Sequence, residues 1–327
     1  VSHQGRALRM LVLACMMWGL SFPALKVLAL IQAETSVGVG TWFFSAATMV
    51  ARFAISGGIA LVLVWAGGRG WALTRSEVLQ GLGLGVFGGL AMLFQVDGLS
   101  HTAASTSSFL TQGSVFFIPL MRTLVYRSPP TVREGVLCCL TLVGIGILAQ
   151  FDWQTFRLGR GEAETLVSAA LFTGQIMALE VPAFRSNDSL KVSMVMFLTI
   201  AALCLPLLWL TGPGLGAALA SFASPASLFF LAVLVGPCTL IAFLMMNHFQ
   251  PHVSATTAGL IYCLEPVFTS FFALFLPMMF SRLAGVNYPN EVLTLPLVTG
   301  GGLILLANLF MQWPPPKKGS LMNEHGI

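Results

Sequence analysis

Apolar residues fill ten stretches of the chain, at roughly 9–31, 42–66, 77–97, 103–126, 134–151, 164–183, 191–211, 227–249, 254–277 and 294–312. Short polar, charged or glycine- and proline-rich breaks separate them. A helix needs about 20 apolar residues to cross the hydrocarbon of a bilayer. The stretches are continuously apolar and do not alternate, which favours helices over a barrel. The pattern therefore predicts an all-α integral membrane protein of ten transmembrane helices. The longest loops are about 15 residues by this reading, so no soluble domain is expected. The tail after Trp313, PPPKKGSLMNEHGI, reads as a proline stop, two basic residues and a polar end.

Composition agrees: 56% of the 327 residues are hydrophobic and 9% are charged, against about 25% charged in soluble domains. Mean hydropathy is +0.86. The net charge of +4 comes with basic residues in short loops, so it speaks for orientation and not for nucleic acid. Of the 16 Lys and Arg residues, eleven fall in one set of loops, from Arg6 and Arg9 to Lys317 and Lys318, and three in the other, Arg157, Arg160 and Arg282. This bias predicts cytoplasmic termini in a plasma (inner) membrane protein. The 6 cysteines all lie in apolar stretches and form no C-x-x-C pair, so they read as small core residues and neither a metal site nor any cofactor is expected. Six of the 7 tryptophans sit near span ends, as in an interfacial belt. Trp18 is the exception, about 14 Å into its helix by helix rise.

The two halves of the chain look alike. HTAASTSSFL (101–110) aligns with HVSATTAGLI (252–261), VGIGIL (143–148) with TGGGLI (299–304), and ALKV (24–27) with ALEV (178–181). The similar offsets, in the same order, predict a duplicated five-helix unit: residues 1–152, then 153–315, then a cytoplasmic tail, 316–327. An odd number of spans inverts the second copy. Inverted repeats are an architecture of secondary transporters, with solute bound near the midplane in a central cavity between the halves.

Ionisable residues inside spans are costly and are functional candidates. Four occur: Lys26, Arg52, Glu180 and Glu265. Glu265 precedes Pro266, so a carboxylate beside broken helix geometry is expected. Arg52 pairs either with a solute carboxylate or with Glu265, the latter being the commoner structural outcome. Lys26 lies toward the outer face and Glu180, its repeat counterpart, toward the inner face. They suit equivalent gates, or simple snorkelling at helix ends. Trp18 and Phe22 are four apart on one helix face and fit either a pocket wall or core packing. Gln95, Gln112 and Tyr262 are polar candidates for the cavity or for ties between helices. Gly81, Gly85 and Gly89 form a stripe that permits close backbone packing.

WGLSFPALK (18–26), ARF (51–53) and LEPVFTSFFALF (264–275) resemble the EamA branch of the drug/metabolite transporter superfamily, and the five-plus-five plan extends the resemblance over nearly the whole chain. The sequence departs from that family in VYRSPPT and LPMMFSRLAGVNYPNE, after the fourth and the ninth spans, where a short GE is common; the second reads as an unusually long external loop. The resemblance implies a secondary carrier that exports a small organic metabolite such as an amino acid. Its partners would be that solute and the lipid bilayer; coupling to a proton or another ion, and a homodimer, stay open. An intramembrane enzyme is disfavoured, because HExxH and a phosphate-cradling G-x-x-x-x-G-K-[ST] are absent and His101 and His252 sit at span ends. A channel would favour rings of charge or repeated polar filters.

Overall fold

The computed structural model describes residues 3–35, 38–68, 70, 72–127, 129–150, 158–179, 181–184, 186–250, 253 and 261–312. These residues form helices, with no strand among them. In chain order they are α1 (His3–Thr35), α2 (Thr41–Ala66), α3 (Arg75–His101), α4 (Ala104–Thr111), α5 (Ser114–Tyr126), α6 (Val132–Leu148), α7 (Arg160–Leu179), α8 (Ser189–Thr211), α9 (Leu215–Ala220), α10 (Pro225–Val235), α11 (Ala242–Phe249), α12 (Glu265–Ala284) and α13 (Leu295–Gln312). Among the described residues, 6 helices are long and apolar enough to cross a membrane: α1, α2, α3, α8, the α10–α11 segment and α12.

Local chemistry sets the ends. Thr74 caps α3 and Thr131 caps α6, each in a reciprocal box with the glutamate three residues on, Glu77 and Glu134. Asp188 caps α8, and Ser224 followed by Pro225 opens α10. Large apolar side chains such as Val62, Leu210, Phe271 and Phe275 face outward, while Arg52, Asp97, Gln95 and Thr239 are buried. That inside-out distribution suits a protein whose solvent is lipid.

Three expected spans are not continuous helices. The fourth breaks at a turn, Gln112–Gly113, between α4 and α5. The eighth contains a π-turn, Gly236–Ile241, between α10 and α11. Pro237 lies in it and has no N–H, so the regular ladder cannot pass through. The ninth has a turn at Cys263–Leu264 and its helix α12 then runs on to Ala284, seven residues beyond the expected 277. Pro277 inside α12 leaves the Ala273 carbonyl without its helical donor, and the backbone N–H of Glu291 supplies one at 2.9 Å.

Small residues let the helices approach. α3 packs along α7 and α8, α2 along α8, α1 along α12 and the α10–α11 segment, and α6 on α13. The glycine stripe meets α8: a Cβ on Gly81 would lie 2.5 Å from Val195 Cβ, and one on Gly85 2.5 Å from Thr199 Cβ. Between α6 and α13 the contact is reciprocal. A Cβ on Gly144 would meet the Gly300 carbonyl at 2.9 Å and Ile304; one on Gly300 would meet the Gly144 carbonyl at 2.7 Å and Leu148. These are equivalent positions of the aligned segments VGIGIL and TGGGLI.

The stripe gives a paired test. Gly85→Ala is expected to destabilise the protein by about 1–3 kcal/mol through overpacking, read as a lower unfolding midpoint in detergent. Gly83→Ala, with nothing within 4 Å of its added Cβ, is expected to leave the midpoint unchanged or slightly raised.

Candidate functional site

Several of the expected site residues, Trp18, Arg52, Gln112, Tyr262 and Glu265, lie near the helix breaks. α1 passes the second break closely: a Cβ on Gly19 would sit 2.8 Å from Phe268 Cβ and 2.9 Å from the Thr269 nitrogen. Pro23 deprives the Gly19 carbonyl of its helical donor, and Ser21 Oγ donates to the neighbouring Trp18 carbonyl at 2.7 Å. The motif around Trp18 is thus a locally loosened turn pressed against the start of α12. Ser108 of α4 accepts from Thr269 Oγ1 of α12 at 2.9 Å, which ties the two broken segments together.

From this point a series of aromatic rings crosses the protein. Tyr262 lies 5.8 Å from Trp18 between centroids, Trp18 5.5 Å from Phe243, Phe243 5.9 Å from Phe197, and Phe197 5.8 Å from Phe53. The Arg52 guanidinium stands over Phe53, 5.3 Å from its centroid. These rings come from α1, α2, α8, α11 and the turn before α12.

Arg52 is 1% exposed. The sequence favoured Glu265 as its partner, and the structure corrects this. Arg52 Nε donates to Thr239 Oγ1, and Nη2 donates to the Cys238 carbonyl at 3.2 Å, both in the π-turn. Thr239 Oγ1 donates its own proton to the Leu234 carbonyl at 2.7 Å, five residues back. No carboxylate among the described residues pairs with Arg52. The sequence missed these partners, although Gly236-Pro237 inside an apolar run was a visible sign of a break.

Glu265 opens α12 and is partly buried, with Cys15 of α1 beside it. Its carboxylate makes no hydrogen bond or ion pair to a described residue. Tyr262 donates its hydroxyl to Gln250 Oε1 at 2.7 Å. Phe22 is 2% exposed, a core residue beside the partly buried Trp18, whose Nε1 is buried without a partner among the described residues. Gln95 Nε2 donates to Thr111 Oγ1 at 3.0 Å, joining α3 to α4. Gln112 lies in the first break, where its carbonyl accepts from Asn308 Nδ2 at 3.4 Å. Glu180 lies outside the described residues. A cavity of about 10 Å³ lies among Leu25, Gln32, Ser45, Thr48 and Ser100 in the first half, room for about one water.

Lys26 is not a free charge. Its Nζ donates to the carbonyls of Leu99 at 2.6 Å, Ser100 at 3.1 Å and Thr102 at 2.9 Å. All three ammonium protons cap the C-terminal end of α3, so the expected snorkelling gives way to a tie between α1 and α3. Asp97, expected at a span end, is fully buried four residues inside α3 and pairs with Arg160, which also holds Glu164 at 2.8 Å. Thr102 donates to Glu162, and Glu291, from the long loop after α12, accepts from the Ala104 N–H at 2.7 Å and from Ser105. This polar cluster joins both halves at one end of the bundle. Lys26→Met is expected to cost about 1–3 kcal/mol, because it orphans buried carbonyls. A lowered unfolding midpoint, partly restored in Lys26→Arg, would be the sign; an unchanged midpoint would contradict the cap.

Comparison with known proteins follows this geometry. No curated protein sequence matches the chain. A solved structure described in print only as "Crystal structure of protein" superposes with a TM-score of 0.50 at 17% identity, over 90% of this chain and 96% of that one, and so shares its fold. Residues 6–150 match the model of the EamA-like transporter family.

Proposed function

We propose that the chain is a secondary carrier of ten transmembrane helices, built as two inverted five-helix repeats that alternate access to a central site. It would export a small organic metabolite, such as an amino acid, across the plasma (inner) membrane, with both termini in the cytoplasm. The observation that carries this reading is the paired breaks. The turn Gln112–Gly113 and the turn Cys263–Leu264 are separated by 151 residues (263 minus 112), the offset of the aligned segments 101–110 and 252–261. Interrupted helices at corresponding places in two halves are the strongest sequence-level pointer to a transporter's binding site.

The packing supports the same reading. Exchange of halves carries α3 on α7 into the α10–α11 segment on α1, and α1 on α12 into α7 on α4 and α5; all these pairs are in contact. It carries α2 on α8 and α6 on α13 into themselves. Gly144 meeting Ile304 while Gly300 meets Leu148 is the reciprocal contact of a two-fold relation. Trp18, Phe22, Tyr262 and Glu265 then line the path from one side and Arg52 from the other. Gln95 and Gln112 support the first break, Glu180 is a gate residue of the second half, and Lys26 acts by holding the outer end of α3.

Purified protein in liposomes tests the carrier. Saturable counterflow of a metabolite is expected, and unsaturated conductance would point to a channel instead. Trp18→Ala is expected to weaken solute affinity about tenfold or more with folding retained, since it removes an aromatic wall. Cysteines placed singly at Arg69, Arg127 and Lys317 are expected to react with an impermeant reagent only from the cytoplasmic side; labelling in intact cells would break the ten-span topology.

A further inference from the structure

We propose that the Nη1 amino group of Arg52 anchors the carboxylate of the transported solute, and that this solute is a monocarboxylate with an apolar or aromatic body. The inference rests on the carrier reading and names the substrate class of that site.

Arg52 is buried to 1% exposure, and its Nη1 has no hydrogen-bond partner among the described residues. Its Nε and Nη2 are held by Thr239 Oγ1 and the Cys238 carbonyl, both neutral. A guanidinium does not shed its proton in a protein, and a buried charge without a counter-charge is among the costliest arrangements in a fold. The two held nitrogens fix the plane of the group. Thr239 has its proton committed to Leu234, so it can only accept from Nε. Two N–H bonds on Nη1 are thereby left in a set direction, with a full positive charge behind them. A carboxylate is the complement in charge and hydrogen bonding.

One charge suffices here. Among the other cations, the ammonium of Lys26 is committed to three carbonyls, and Arg160 to Asp97 and Glu164. A dianionic phosphate ester would leave one charge unmatched. Beside the guanidinium, Phe53, Phe197 and Phe243 continue to Trp18 as a buried aromatic series. A site opened along this series would be apolar with one placed polar group, which orients a ligand by its polar end.

The experiment compares 3-phenylpropionate, its neutral isostere 3-phenylpropanamide and phenyl phosphate, by thermal shift of the purified full chain and by counterflow in liposomes. The expected result is that wild type binds the carboxylate at least about tenfold more tightly than the amide and the phosphate. Arg52→Met is expected to bind carboxylate and amide equally, with amide affinity near that of wild type. Arg52→Lys keeps the charge and is expected to retain part of the preference. Equal binding of carboxylate and amide by wild type overturns the inference without any variant, as does a preference that survives in Arg52→Met, or binding of none of the three. If the carboxylate preference is absent but the amide or another neutral solute shows saturable counterflow, the carrier reading stands and the anchor fails. If no solute shows counterflow, the carrier reading itself fails.

Discussion

In hydrocarbon there is no water to receive a backbone N–H or C=O, so every such group must find a partner inside the protein. Several departures from continuous helix among the described residues are accordingly answered by a specific group. Pro277 frees the Ala273 carbonyl and the Glu291 N–H takes it up. The turn after α4 leaves the Gln112 carbonyl for Asn308. The π-turn turns the Cys238 carbonyl and Thr239 hydroxyl toward Arg52, while Thr239 satisfies Leu234. The end of α3 gives three carbonyls to one ammonium, that of Lys26. Among the described residues, the buried polar atoms left without a partner include Trp18 Nε1 and Arg52 Nη1, and the Glu265 carboxylate makes no hydrogen bond or ion pair to a described residue.

Close packing by small residues makes those breaks tolerable. Gly19 brings α1 onto the backbone at the start of α12, Gly81 and Gly85 bring α3 onto α8, and Gly144 meets Gly300 across the α6–α13 contact. Without a hydrophobic force between helices in lipid, such contacts carry association through dispersion and backbone proximity. A direct hydrogen bond from Thr269 to Ser108 adds a polar tie between α12 and α4.

The sequence made the apolar stretches legible, because length and continuity alone mark a span, and its three aligned segments are the basis on which a duplicated unit is proposed. The interruptions were not. Cys263–Leu264 lies in a run that stays apolar on both sides, so nothing in the hydropathy marks that turn; the polar stretch Thr111-Gln112-Gly113-Ser114, Pro266 and the Gly236-Pro237 pair were the local signs. Arg52 and Glu265 were recognised from charge at depth, but their relation was not. Charge pairing is easy to foresee in a sequence, whereas a guanidinium held by a neutral hydroxyl and a carbonyl leaves no signature there. For the same reason the sequence left Lys26 between an outer gate and snorkelling, and gave no sign that its three donors close a helix end. Asp97 looked like a boundary residue because α3 continues four residues past it before His101 ends the helix.

The central claim is that paired breaks in equivalent helices mark the transport site. Hydrogen–deuterium exchange of the protein in lipid nanodiscs reads the backbone at those breaks directly. The account expects amides at 112–116 and 263–267 to exchange faster than those in the middle of α2 and α8, and to slow when a transported solute is added. Exchange at both breaks as slow as in the continuous helices, and unchanged by any solute that the protein carries, would contradict it.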